Sequence, residues 1–139
     1  MDGNADTQSV LLIVDDDEDF LDFLAMHLSP RYKVVFARDG EEALAKVAEQ
    51  RPSLVLLDVM MPKLGGWSVC WTLKNHKDYR SIPILFLTAV GPTPSVMSQL
   101  SRADDYLLKP FELAALDGKI EALLARGQAA PPASTEPAP

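Results

Sequence analysis

A single cysteine, Cys70, is all the thiol chemistry this sequence offers. It excludes a disulfide framework within the chain and fits a reducing, cytoplasmic setting. Neither histidine, His27 or His76, stands in a recognisable Cys–His signature, so Cys70 reads as a packed helix residue and not as a nucleophile. Cations are scarce too: 13 Lys and Arg face 20 Asp and Glu, leaving a net charge of −7. That balance speaks against a nucleic-acid surface, which needs a basic patch, and against an anionic membrane as partner. No apolar run approaches membrane-spanning length. The opening residues, Met1 to Ser9, are polar and acidic and lack the basic start and apolar core of a signal peptide. No internal repeat is present.

What the chain does have is a set of short, uninterrupted apolar runs, each ending in a polar residue. The central one is Leu54–Leu57, which runs into Asp58 and closes at Pro62. Runs of this kind read as strands buried on both faces, the habit of a parallel sheet. Val10–Val14 is the first, followed by five consecutive acids, Asp15 to Asp19. Val34–Phe36, Ile84–Leu87 (ending at Thr88) and Tyr106–Leu108 (ending at Lys109) complete five strands.

Helical spacing fills the intervals. Phe20, Leu21, Phe23, Leu24 and Leu28 mark a first helix, with the acids favourably placed at its N-terminus. Glu41 to Gln50 and Trp67 to Asn75 form the second and third. Ser95 to Ser101 is a short fourth after Gly91-Pro92-Thr93-Pro94, which cannot be helix interior. Glu112 to Ala125 is the last, with Leu113, Leu116, Ile120, Leu123 and Leu124 inward; Gly118 within it is a mild weakness. Residues 1–8 read as a disordered tail, 9–126 as one domain, and 127–139 as a Pro/Ala-rich tail or linker. Five alternations of strand and helix imply a doubly wound, flavodoxin-like parallel sheet of order 2-1-3-4-5 with five helices.

In such a sheet all strands point their C-terminal ends at one rim, where open α/β folds bind their ligands. Asp15 and Asp16, Asp58, Thr88 and Lys109 all fall there. Any one of these acids alone reads as a cap or a turn; the set does not. Three convergent carboxylates repel one another unless a cation lies between them. Mg²⁺ suits the position, since it takes one or two carboxylates together with waters and phosphate oxygens. A carboxylate nucleophile, a divalent ion, a lysine and a hydroxyl can together support phosphoryl transfer onto Asp58.

This constellation resembles the receiver domain of two-component response regulators, including the chemotaxis regulators. The resemblance covers about residues 9 to 126 and is carried by four segments in order: Leu11 to Asp17, Leu56 to Pro62, Leu87 to Ala89 and Ala103 to Phe111. It implies that Asp58 is the phosphoacceptor and that Mg²⁺ is bound by Asp15, Asp16, Asp58 and the backbone carbonyl of Met60. It implies that Thr88 and Lys109 contact the phosphoryl group, that the Lys109–Pro110 bond is cis, and that Tyr106 changes rotamer together with Thr88. Asp17 is left to cap the first helix. The implied partners are a sensor histidine kinase or phosphotransfer protein and an unidentified downstream protein. The output surface is the fourth helix, fifth strand and last helix, acting as a monomer or a weak dimer. Beyond its own phosphorylation and dephosphorylation no catalysis is implied.

The sequence departs from the family pattern at Gly65 (often Asp), at Arg102 (often Gly) and in a Thr88–Lys109 interval about one residue short. These changes fall around the fourth helix, so the chemistry looks intact while the output surface is altered. Met60 and Val90, beside the path of hydrolytic water in the family, are apolar, which implies a long-lived phosphoryl group. Three alternatives stand beside this reading. One is a degenerate receiver acting as a phosphorylation-independent interaction module. A second is a haloacid-dehalogenase-like phosphatase using Asp15 and Asp17, which would leave Asp58 without a role. The third, a flavodoxin-like cofactor binder, would want Gly, Ser or Thr where the first loop is acidic. The tail leaves open a stand-alone receiver or one followed by an output domain.

Overall fold

The computed structural model describes residues 8–59, 65–89 and 103–129. These form β1 (Val10–Val14), α1 (Glu18–Leu28), β2 (Lys33–Ala37), α2 (Gly40–Glu49), β3 (Leu54–Leu57), α3 (Gly66–Lys74), β4 (Ile84–Thr88), β5 (Asp105–Leu108) and α4 (Leu113–Ala129). The strands make one parallel sheet in the order β2-β1-β3-β4-β5, as expected. The helix expected over Ser95 to Ser101 lies outside the described residues. So do Met60, Val90 and Arg102.

The apolar runs fill two cores because strand side chains alternate between faces. Leu12, Val14, Val55, Leu57, Ile84 and Phe86 pack with Ala43 and Val47 of α2 and Val69, Cys70 and Leu73 of α3. Leu11, Ile13, Leu54, Leu56, Leu85 and Leu87 pack on the other face with Leu21, Leu24 and Leu28 of α1 and with Leu116, Ile120, Leu123 and Leu124 of α4. β1, β3 and β4 are almost fully buried, which is why their sequences run apolar without alternation. No helix among the described residues is long and apolar enough to cross a membrane.

The differences from the sequence reading lie at element ends. β2 is one residue longer at each end than Val34–Phe36. Phe23 is about half exposed and does not join the buried stripe of α1. α4 continues to Ala129, into the stretch read as tail. Gly127 does not stop it, since one glycine costs a helix only about 1 kcal/mol and its neighbours Ala125, Arg126, Gln128 and Ala129 favour helix.

Candidate functional site

The sheet brings the polar strand ends to one rim. β1 and β3 are adjacent, with Val14 opposite Leu57, so the next residues, Asp15 and Asp58, stand level. Their backbones are held in the sheet: Asp58 N–H donates to the Val14 carbonyl (3.0 Å) and Asp15 N–H to the Ala37 carbonyl (3.1 Å). Both carboxylates are buried, whereas Asp16 is exposed. Asp15, Asp16 and Asp58 each place an oxygen within 4.8 Å of the other two, so the expected convergence is present.

Lys109 reaches this cluster from the far end of β5. Its Nζ donates to Asp15 Oδ2 at 2.8 Å and lies 3.8 Å from Asp58 Oδ2. The Lys109 backbone N–H donates to the Thr88 carbonyl at 2.8 Å, tying the ends of β4 and β5 together. Thr88 is fully buried at the end of β4. The Lys109–Pro110 peptide is cis. Tyr106 is half-buried on β5, opposite Phe86 and against the core that α2 and α3 cover. Met60, the remaining residue named from sequence, is not among the described residues.

The two acids that follow Asp16 do different work. Asp17 N–H donates to Asp15 Oδ1 at 2.9 Å, which orients the buried carboxylate. The Asp17 side chain turns to α1, accepting from Asp19 N–H (3.0 Å) and Phe20 N–H (3.3 Å) as its N-cap. Asp17 thus serves as the cap of α1, as the sequence reading left it.

Two residues that sequence reasoning did not single out shape the site. Gly66, the first residue of α3, packs directly on the phosphoacceptor candidate's own backbone. A Cβ there would collide with the Asp58 carbonyl oxygen and lie 2.7 Å from Val59 Cα, and Gly66 N–H donates to the Val59 carbonyl at 3.2 Å. Phe20, counted from sequence as part of the α1 core stripe, sits beneath the Lys109 ammonium, 4.1 Å from ring centroid to Nζ. A Gly-Gly pair reads locally as a turn, and nothing in the spacing of Phe20 sets it apart from its neighbours.

This rim, with two buried carboxylates, a third at the surface, a lysine and a buried threonine at the C-terminal ends of a 2-1-3-4-5 sheet, matches one family. The family model of the response regulator receiver domain matches residues 11–121. The chain belongs to that family. It is 40% identical over 126 residues to the alkaline phosphatase synthesis transcriptional regulatory protein PhoP of Bacillus subtilis, spanning 89% of this chain and 52% of PhoP. It is 45% identical over 118 residues to the response regulator MprA of Mycolicibacterium vanbaalenii, spanning 84% of this chain and 50% of MprA. The chain thus spans about half the length of the curated relatives it matches. Among solved structures, a response regulator from Chloroflexus aurantiacus superposes with a TM-score of 0.79 at 36% identity, over 86% of this chain and 99% of that one.

Proposed function

We propose that this receiver takes a phosphoryl group from a histidine kinase or phosphotransfer protein onto Asp58. The observation that carries the reading is the Lys109 ammonium held between Asp15 and Asp58, beside three carboxylates that converge within 4.8 Å. A cluster of hard oxygen donors with net negative charge fits Mg²⁺. Asp15, Asp16 and Asp58 would hold it, with the Met60 backbone carbonyl. The chemistry a bound Mg²⁺ supplies is neutralisation of the transferring phosphoryl oxygens.

The chain's own residues do the rest. An Asp58 carboxylate oxygen attacks phosphorus, the phosphorus–nitrogen bond to the donor imidazole breaks, and the imidazole leaves with a proton from solvent. The bond pair departs with the imidazole, and an aspartyl phosphate remains. Lys109 places positive charge beside the attacking oxygen and the phosphoryl oxygens it acquires. The Thr88 hydroxyl donates to one of those oxygens. Tyr106 follows Thr88, and the resulting change at β5, α4 and the segment between β4 and β5 is read by a downstream protein. The protein acts in the cytoplasm, binds no nucleic acid through this domain and catalyses nothing beyond its own phosphorylation and dephosphorylation. It works as a monomer or a weak dimer through that same face. Relatives carry the names of transcriptional regulators, which supports a signalling role for the domain.

Borohydride trapping tests this. Protein treated with a small phosphodonor and Mg²⁺, then reduced, is expected to yield homoserine at position 58, because borohydride reduces an acyl phosphate to an alcohol. Unmodified Asp58 beside reduction at another acid would contradict the assignment. Followed over time without reduction, the phosphoryl group is expected to decay slowly, and faster in Met60→Asn, whose amide can orient water.

A further inference from the structure

The Lys109 ammonium lies close to two carboxylates and to an aromatic face. Its Nζ lies over the Phe20 ring, 4.1 Å from the centroid, while it donates to Asp15 at 2.8 Å. Phe20 is the third residue of α1 and its backbone is fixed by the Asp17 cap. Its ring is braced edge-to-face by Phe111, with centroids 6.2 Å apart and planes at 77°. Phe111 follows Lys109 and Pro110 in sequence, so the segment that carries the lysine also clamps the ring beneath it. Phe20, Phe23, Ala89, Pro110 and Phe111 line a pocket of about 430 Å³ in which Lys109 is the one charged lining residue among the described residues.

Lysine is a compact charge on a flexible four-carbon stem, so its ammonium needs more than one contact to be held at one point. A ring face attracts a cation through its quadrupole and offers no hydrogen-bond acceptor to compete with the carboxylates. An apolar wall also excludes water, which strengthens the ammonium's interaction with both acids.

We propose that Phe20 is a positioning residue for Lys109, holding its ammonium against Asp15 and Asp58 through a cation–π contact. The kinetic consequence rests on Asp58 being the phosphoacceptor; the contact itself does not. In the protein without phosphodonor, the Lys109 Cε protons are expected upfield of ordinary lysines in NMR spectra, through the ring current of Phe20. Phe20→Leu, which keeps an apolar side chain and removes the ring, is expected to abolish that shift and to slow phosphorylation by a small donor by about three- to tenfold. Phe20→Tyr is expected to retain both. In a Lys109→Met background, Phe20→Leu is expected to cause no further slowing.

Lys109 Cε protons at ordinary positions in the wild type would overturn the contact. Slowing by Phe20→Leu that persists in full without Lys109 would overturn the positioning role and leave Phe20 a packing residue. A wild type that shows the shifted protons but takes no phosphoryl group would refute the phosphoacceptor reading and leave the contact standing.

Discussion

At the scale of single residues, the site depends on short-range backbone geometry as much as on charge. Asp15 is oriented by the Asp17 N–H, and Asp17 in turn caps α1. Two acids only two positions apart therefore have opposite fates, one at the rim and one in a helix cap. The sequence reading left Asp17 to cap the first helix, and an acid three residues beyond a buried strand, just before a helix, fits an N-cap. Gly66 was not legible in this way. The need for a missing Cβ comes from the approach of α3 to the Asp58–Val59 backbone, a contact between segments that spacing does not reveal. Gly66→Ala is expected to destabilise the fold by about 1–3 kcal/mol, the cost of inserting an atom into a filled space. Chemical denaturation measures this, and a change below about 0.5 kcal/mol, the range of ordinary surface substitutions, would show that the approach relaxes freely.

At the scale of elements, the strands were legible and the helix ends were not. Buried strands announce themselves as apolar runs, and those of β1, β3 and β4 fall where sequence placed them. Helix ends are decided by capping and by weak propensities, so α4 runs to Ala129 through a glycine that read as a boundary. Gly118 in the same helix is a different case. A Cβ there would meet nothing within 4 Å, and the position is exposed. Gly118→Ala is expected to stabilise the domain by about 0.5–1 kcal/mol through the lower entropy of the unfolded chain. A lower melting temperature would contradict this. The opposite end of the sheet holds a polar staple that sequence did not suggest. Lys74 Nζ donates to Asp104 Oδ2 at 2.7 Å and to the Ile82 carbonyl at 3.1 Å, and the same Asp104 oxygen accepts from Ile84 N–H at 2.8 Å. It joins the end of α3 and the start of β4 to the start of β5, 20 to 30 residues further along the chain. Pairings of that kind follow from topology, and a residue-by-residue reading sees only a lysine and an acid.

At the scale of the whole molecule, strand order places the chemistry. Asp15, Asp58, Thr88 and Lys109 are far apart in sequence and meet only because β1 lies between β2 and β3, with β4 and β5 beyond. Five strand–helix alternations imply that order, and with it the rim and its carboxylate cluster were legible in the sequence. The aromatic support of Lys109 was not, because it requires α1 and the segment after β5 to meet on one face of the sheet. The most direct measurement is the intact mass of the protein after incubation with a small phosphodonor, with and without Mg²⁺, for the wild type and Asp58→Asn. A single phosphoryl adduct is expected on the wild type with Mg²⁺, and none without the metal or in the variant. An equal adduct on Asp58→Asn, or none on the wild type under any condition, would contradict phosphoryl transfer to Asp58.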